Sequence, residues 1–179
     1  MDIFERLLMS ENPSMYFRNN RKEIYELIPE FKACDGFDQC NDYHIYDVLE
    51  HTLSVLENVG NDYVLRVAAL FHDIGKPLCF TKDDDGVGHF YNHWVESRRI
   101  FNKYIDLLNI SKNEAELISN LIYYHDLRPM DKHMDEFKKV FDDKLILLIK
   151  LKTADVKAQN SKYDDRLIEL KEIEASLIK

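Results

Sequence analysis

Six residues of this chain carry side chains suited to holding a divalent cation, and they recur at helix-length intervals. His51 comes first, then His72 with Asp73 directly after it, then His93, His125 and Asp155. Imidazole and carboxylate together are the donors that hard and borderline metal ions take. Taken singly, each reads as a packed or surface side chain; a His at a helix C-terminus, for one, favours the dipole there. Together, at helix ends and inner faces, they form a pattern that separate accidents do not make. Asp155 says most, because Leu148, Leu151 and Ala154 lie on its side of the last helix. An unpaired carboxylate among them needs a cation or hydrogen-bond donors. The alternative for Asp155 is a solvated place on that helix's polar face.

The elements that must position these residues read as helices nearly throughout. Ile3, Phe4, Leu7 and Leu8 predict a first short helix, ended by Asn12-Pro13, and Ile24, Leu27, Ile28 and Phe31 predict a second. Residues 34–44 read as a loop. A third helix runs from about Asp47 to Val59 with His51 on its inner part, closed by Gly60-Asn61-Asp62. The fourth, Val64 to Phe71, is almost wholly apolar and stops at His72-Asp73-Ile74-Gly75-Lys76-Pro77. After a polar loop over 78–88, a fifth helix starts near His89 and reaches Leu108, so that His89 and His93 share a face. A sixth runs from Asn113 to about Tyr124, with His125 at its end. An irregular stretch with Met130, Asp131 and His133 follows Arg128-Pro129, and one long last helix runs from near Asp142 past Leu170. The expectation is a single all-α domain. Residues 1–40 are a helical extension packed on the core, 41–160 hold the metal site between core helices, and 161–179 continue the last helix.

Composition narrows the function classes. The 179 residues are 45% hydrophobic and 32% charged, enough to bury a sizeable core. A net charge of -9 repels polyanions and argues against broad nucleic-acid binding. A patch of Arg18, Arg21 and Lys22 is the only candidate exception. Five Gly and four Pro disfavour an all-β fold. Cys34, Cys40 and Cys79 form no CxxC pair and read as reduced thiols. The N-terminus MDIFERLLMS has acids where a signal peptide needs a basic segment, and the apolar run Leu145 to Ile149 is too short for a bilayer. The expected location is cytoplasmic, with no membrane partner.

The order His51, His72-Asp73, Asp155 resembles the H…HD…D signature of the HD-domain metal-dependent phosphohydrolases. With His93 and His125 it resembles the six-ligand subset, H…HD…H…H…D, which holds two metals. YHIYDVLEHTL, LRVAALFHDIGKP, GHFYNHWVESRRIF and YHDL resemble the HD domain that follows the polymerase head of bacterial CCA-adding tRNA nucleotidyltransferases, over roughly residues 40–160. Nothing resembles that head's Gly-Gly strand-turn and Asp-x-Asp pair. The chain therefore reads as a free-standing HD domain, and CCA addition is not expected of it.

The resemblance implies a metal set of His51, His72, Asp73, His93, His125 and Asp155. It also implies an activity in the range of 2',3'-cyclic phosphodiesterase, phosphatase or 5'-nucleotidase. In that scheme His51, His72, Asp73 and Asp155 serve one divalent ion, and Asp73 bridges to a second held by His93 and His125. One or two ions are compatible, drawn from Mn, Fe, Co, Ni, Zn or Mg. They would turn the local charge positive, activate water near neutral pH and neutralise a phosphoryl oxygen. Asp73 and Lys76 are the catalytic candidates; Lys76 is a proton donor, a phosphate contact or simply a helix-end lysine in solvent. Lys76, His89 and Arg128 are the substrate-binding candidates. His44 reads as pocket lining, Arg98 and Arg99 as solvated in preference to phosphate contacts, His133 as incidental, and Tyr91 and Trp94 as helix packing in preference to base-stacking platforms. The expected partner is a small phosphorylated substrate, a nucleotide above all. The competing reading is a non-catalytic metal- or nucleotide-binding module associated with tRNA or nucleotide metabolism. The apolar C-terminal residues Leu167, Leu170, Ile173 and Leu177 pack either on their own domain or on the second subunit of a homodimer.

Overall fold

The computed structural model describes residues 2–128 and 131–178. Its helices start where a short polar side chain precedes an apolar run. Asp2 opens α1 (Ile3–Met9), its carboxylate accepting from the Glu5 N–H at 2.8 Å. Asn12 does the same for α2 (Pro13–Leu27), accepting from the Met15 N–H at 3.0 Å. Asn12-Pro13, expected to end one helix, thus also begins the next, since proline at the first helical position forfeits no helical hydrogen bond. The expected second helix is split by Pro29, after which α3 (Glu30–Cys34) follows. Asp47 caps α4 (Val48–Asn58) and Asp62 caps α5 (Tyr63–Phe71), both close to expectation.

The segment after His72 is more ordered than a polar loop. Lys76–Cys79 forms a helical turn, α6, and β1 (Thr81–Lys82) pairs antiparallel with β2 (Gly88–His89), Thr81 opposite His89. α7 spans His93–Lys103, with a 3₁₀ turn at Ile105–Leu107. His89 therefore sits in a strand and shares no helix face with His93. Between them Asn92 takes the left-handed conformation, φ 63°, and turns the chain into α7.

A capping box of Ser111 and Glu114 opens α8 (Lys112–Tyr124). The stretch expected to be irregular holds α9 (Asp131–Phe141), which includes His133; Pro129 and Met130 lie outside the described residues. Its polar composition masks the spacing of Met134, Phe137 and Phe141, which turns one face to the core. The expected long last helix is two, α10 (Leu145–Lys157) and α11 (Asp165–Leu177), parted where Asn160 caps a 3₁₀ turn. Leu167, Leu170, Ile173 and Leu177 pack back on Ile149 and Val156 of α10, so the chain's own domain covers that face.

The fold is all-α apart from the small hairpin, and α5 is its axis. Residues 65–71 are all buried, and the helix touches α1, α4, α7, α8 and α10. One of those buried residues is charged. Arg66 donates to the carbonyls of Leu8 at 2.7 Å, Ser10 at 2.8 Å and Gly60 at 2.6 Å, and to the Asn61 side chain at 2.7 Å. It fastens the α1–α2 junction to the axis. No described helix is long and apolar enough to cross a membrane.

Candidate metal centre

Four imidazoles converge at the ends and inner faces of these helices, each oriented by its Nδ1. That atom lies 2.7 Å from the Ala69 carbonyl in His72, 2.9 Å from Phe90 in His93 and 2.7 Å from Ile122 in His125. In His51 it faces the Ala158 carbonyl at 3.4 Å. A carbonyl only accepts, so Nδ1 carries the proton and each Nε2 turns a lone pair to the centre. The four rings and Asp73 are all at most 4% exposed.

Asp73 divides the cluster between its two oxygens. Oδ2 lies 3.4 Å from His51 Nε2 and 3.2 Å from His72 Nε2, and Asp155 Oδ1 completes that side at 3.0 Å from His51 Nε2. Oδ1 lies 3.2 Å from His93 Nε2 and 3.5 Å from His125 Nε2. Within each side the imidazole nitrogens approach closely, His51 to His72 at 3.4 Å and His93 to His125 at 3.2 Å. Two facing lone pairs repel unless a cation or proton lies between them. An ion about 2.1 Å from each nitrogen holds them about 3.0–3.4 Å apart for angles between square and tetrahedral. Asp73 Oδ1 is buried and accepts no hydrogen bond, a costly state that a cation relieves. The donor set therefore fits a divalent ion on each side of Asp73.

The electrostatics agree with anionic carboxylates in a buried site. Burial pushes Asp73 up, but the charges of His72 and Lys76 outweigh it, helped by contact with His125, and hold its carboxyl well below the usual range. Burial likewise opposes ionisation of Asp155, and contact with His51 overrides it. Burial lowers His72, yet Asp73 and Asp155 together raise it, so a proton competes for the place a metal would take.

Lys76 is not the solvent-exposed lysine that one sequence alternative allowed. It is 5% exposed, and its Nζ lies 2.7 Å from Asp73 Oδ2, 2.7 Å from Gln39 Oε1 and 3.3 Å from His44 Nε2. All three N–H donors are committed, so in this conformation it neutralises and orients Asp73. His44 donates from Nδ1 to Asn41 Oδ1 at 2.8 Å and keeps Nε2 as the acceptor. Burial, then the Lys76 charge, push His44 down to about 2, so it is neutral. Gly75 permits the close seat of this turn on α7: a Cβ there would meet Ser97 N at 2.5 Å and His93 O at 2.7 Å.

The sequence alone did not single out Gln39 or Lys152. From α10, buried Lys152 donates to the carbonyls of Tyr124, at 2.8 Å, His125 and Leu127. It closes the end of α8 and ties His125 to the helix that carries Asp155. Burial pushes Lys152 down to about 7 against the pull of Asp126 and Asp155. A signal was present, since Leu148, Lys152 and Asp155 fall on one helix face.

A cleft of about 410 Å³ opens over the donors, reached by Asp73, Lys76, His93, His125 and Asp155. Exposed Arg128 and half-buried Arg166 stand on its wall. Half-buried His89 lines it too, but its Nε2 is held by Asp83 at 3.0 Å. Tyr91 and Trp94, expected in helix packing, face the cleft instead. Arg99 pairs with Glu96 and Arg98 lies over the Tyr123 ring; neither lines it.

Two buried imidazole pairs sharing one carboxylate, at the helix ends of an all-α domain, form a donor set of the His-Asp kind that fits a divalent ion. The chain belongs to the HD domain family, whose model matches residues 41–168, a family of metal-dependent phosphohydrolases. It is 29% identical over 147 residues to the bifunctional uridylyltransferase/uridylyl-removing enzyme of Ruegeria pomeroyi, covering 69% of this chain and 15% of that protein. It is 29% identical over 131 residues to the multifunctional CCA protein of Actinobacillus pleuropneumoniae, covering 68% and 31%. To the A-adding tRNA nucleotidyltransferase of Deinococcus radiodurans it is 36% identical over 72 residues, covering 37% and 16%. The chain thus spans less than a third of the length of these relatives.

Proposed function

We propose that this chain hydrolyses a phosphate ester of a nucleotide, either a phosphomonoester or a small phosphodiester such as a 2',3'-cyclic phosphate. Its divalent ions are held by His51, His72, Asp73 and Asp155 on one side and by Asp73, His93 and His125 on the other. The observation that carries this reading is the division of Asp73, one oxygen facing each imidazole pair. When bound, such ions supply Lewis acidity toward a phosphoryl oxygen and acidify water near neutral pH. The chain's own residues supply placement. Backbone carbonyls fix the four rings, Lys76 keeps Asp73 ionised, and Arg128 and Arg166 present positive charge to an anion entering the cleft. The net charge of -9 supports a small substrate over a long nucleic acid. The uridylyl-removing activity in the name of the Ruegeria pomeroyi relative supports including phosphodiesters.

One observation favours a second reading. With its three donors committed, Lys76 is not poised to protonate a leaving group, which suits a non-catalytic metal- and nucleotide-binding module. Metal analysis decides between them, together with a hydrolysis screen of nucleoside monophosphates, 2',3'-cyclic nucleotides and dNTPs across Mn, Fe, Co, Ni, Zn and Mg. Expected are up to two ions per chain and metal-dependent hydrolysis. Asp73→Asn removes both, and His93→Ala leaves one ion. Metal uptake without hydrolysis of any ester supports the binding module, and no uptake of any ion refutes both readings.

A further inference from the structure

We propose that Tyr91, backed by His89, is the platform on which the cleft stacks the base of a mononucleotide. The inference rests on the phosphate-ester reading for the anion, not for the ring. Single exposed aromatics are ordinary on protein surfaces. Tyr91, 67% exposed, differs because it stands on the wall of the cleft that holds the donor cluster, and because it is braced. Its ring lies parallel to that of His89, 10° between planes and 5.4 Å between centroids. His89 is fixed in turn by Asp83 Oδ2, and Asp83 Oδ1 accepts from the Val87 N–H at 2.8 Å and the Asp85 N–H at 3.1 Å, closing the hairpin loop.

The hairpin itself is clamped to the site. The Gly88 N–H donates to the Cys40 carbonyl at 2.7 Å, an approach so close that a Cβ on Gly88 would meet the Gln39 carbonyl at 2.2 Å. Gln39 is the residue that holds Lys76. On the other flank, only Asn92 separates Tyr91 from His93. An exposed aromatic face is therefore held rigidly between two fixed parts of the centre. A flat heterocycle is the ligand such a face takes, with stacking that tolerates any base. Elsewhere in the cleft lining the Arg166 guanidinium lies 5.3 Å from the Tyr43 ring centroid, a second flat surface of opposite electrostatic character. A cleft of about 410 Å³ suits one nucleotide, and the net charge of -9 opposes a strand.

The test uses Trp94, the sole tryptophan of the chain, which lines the same cleft beside His93. Its fluorescence is followed in stopped flow, before turnover, as the Mg-supplemented full chain is mixed with AMP, UMP or ribose 5-phosphate. AMP and UMP should bind more tightly than ribose 5-phosphate, which lacks a base. Tyr91→Ala should weaken both nucleotides about tenfold, a typical loss for one stacked base. Its affinity for ribose 5-phosphate should match that of the unaltered chain, and Tyr91→Phe should restore nucleotide binding. Equal weakening of all three ligands, or no change with either nucleotide, overturns the proposal. A short oligonucleotide binding more tightly than AMP overturns the mononucleotide assignment. Failure of the phosphate-ester reading shows separately, as absence of metal-dependent release of phosphate from ribose 5-phosphate and from the nucleotides.

Discussion

Replacing Lys152 by methionine tests whether the centre is held by a buried lysine. The substitution keeps an unbranched stem of similar length on α10, with sulfur in place of one methylene, and removes the nitrogen. It leaves the carbonyls of Tyr124, His125 and Leu127 without the donor they share. A buried carbonyl stripped of its partner costs about 1–3 kcal/mol, so three set a gross loss of about 3–9 kcal/mol. Relief from burying a polar nitrogen offsets the upper part of that range, and we expect about 3 kcal/mol net. For a domain of this size that lowers Tm by about 6–12 °C. Thermal unfolding in chelator measures this term free of metal. Because the carbonyl of His125 is one of the three, metal analysis should show the ion on the His93–His125 side lost first. The pH dependence has a definite sign. Burial brings Lys152 down to about 7 from an ordinary value of 10.5, so between those values the unfolded chain holds a proton that the folded chain has released. The lysine's contribution is therefore lost as pH falls through about 7 and is regained toward 10. The stability gap between the unaltered chain and Lys152→Met widens as pH rises across that window. A variant that melts within 2 °C of the unaltered chain (roughly a third of the smallest expected shift) and keeps its full metal content would refute the argument.

Three further outcomes are expected. Gly75→Ala places a methyl against the backbone of Ser97 and His93, which cannot rotate away; it should cost about 2–3 kcal/mol in urea unfolding and reduce metal content on the His93 side. Arg66→Met should cost about 3 kcal/mol, because carbonyls at the α1–α2 junction lose a charged donor, while the folded variant binds metal normally. Bound metal should fall as pH is lowered, because protons compete with the ion for the imidazole nitrogens, and full retention at pH 4.5 would contradict imidazole ligation.

The all-α class and the convergence of six dispersed residues were legible because both follow from local patterns. An apolar run stopping at His72-Asp73 has to end inside the core, and helices of similar length bring His51, His93, His125 and Asp155 back to that end. What escaped was whatever depends on tertiary partners. Lys152 looks like any helical lysine until α8 is seen to end against it. Gln39 sits in a loop without periodicity, and its role exists only through Lys76. The two-residue strands at Thr81–Lys82 and Gly88–His89 are shorter than any alternation can reveal. They moved His89 off the helix and turned Tyr91 and Trp94 from presumed packing to cleft wall. The polar dress of α9 hid an apolar stripe, and the break at Asn160 is a side-chain cap inside what reads as one continuous helix.

The contact between Lys76 and Asp73 bears on the order in which the protein is made and loaded. A buried carboxylate without a counter-charge would leave the newly folded chain poised to open until an ion arrived. Here the countercharge is built in: a lysine three residues downstream reaches the same carboxylate within one helical turn. Folding can thus be completed first, with the ammonium standing in for a cation, and on the proposed reading metal capture would be a later exchange into a finished cage. Starved of metal, such a chain should accumulate as a folded reserve and be spared the fate of a degradation target.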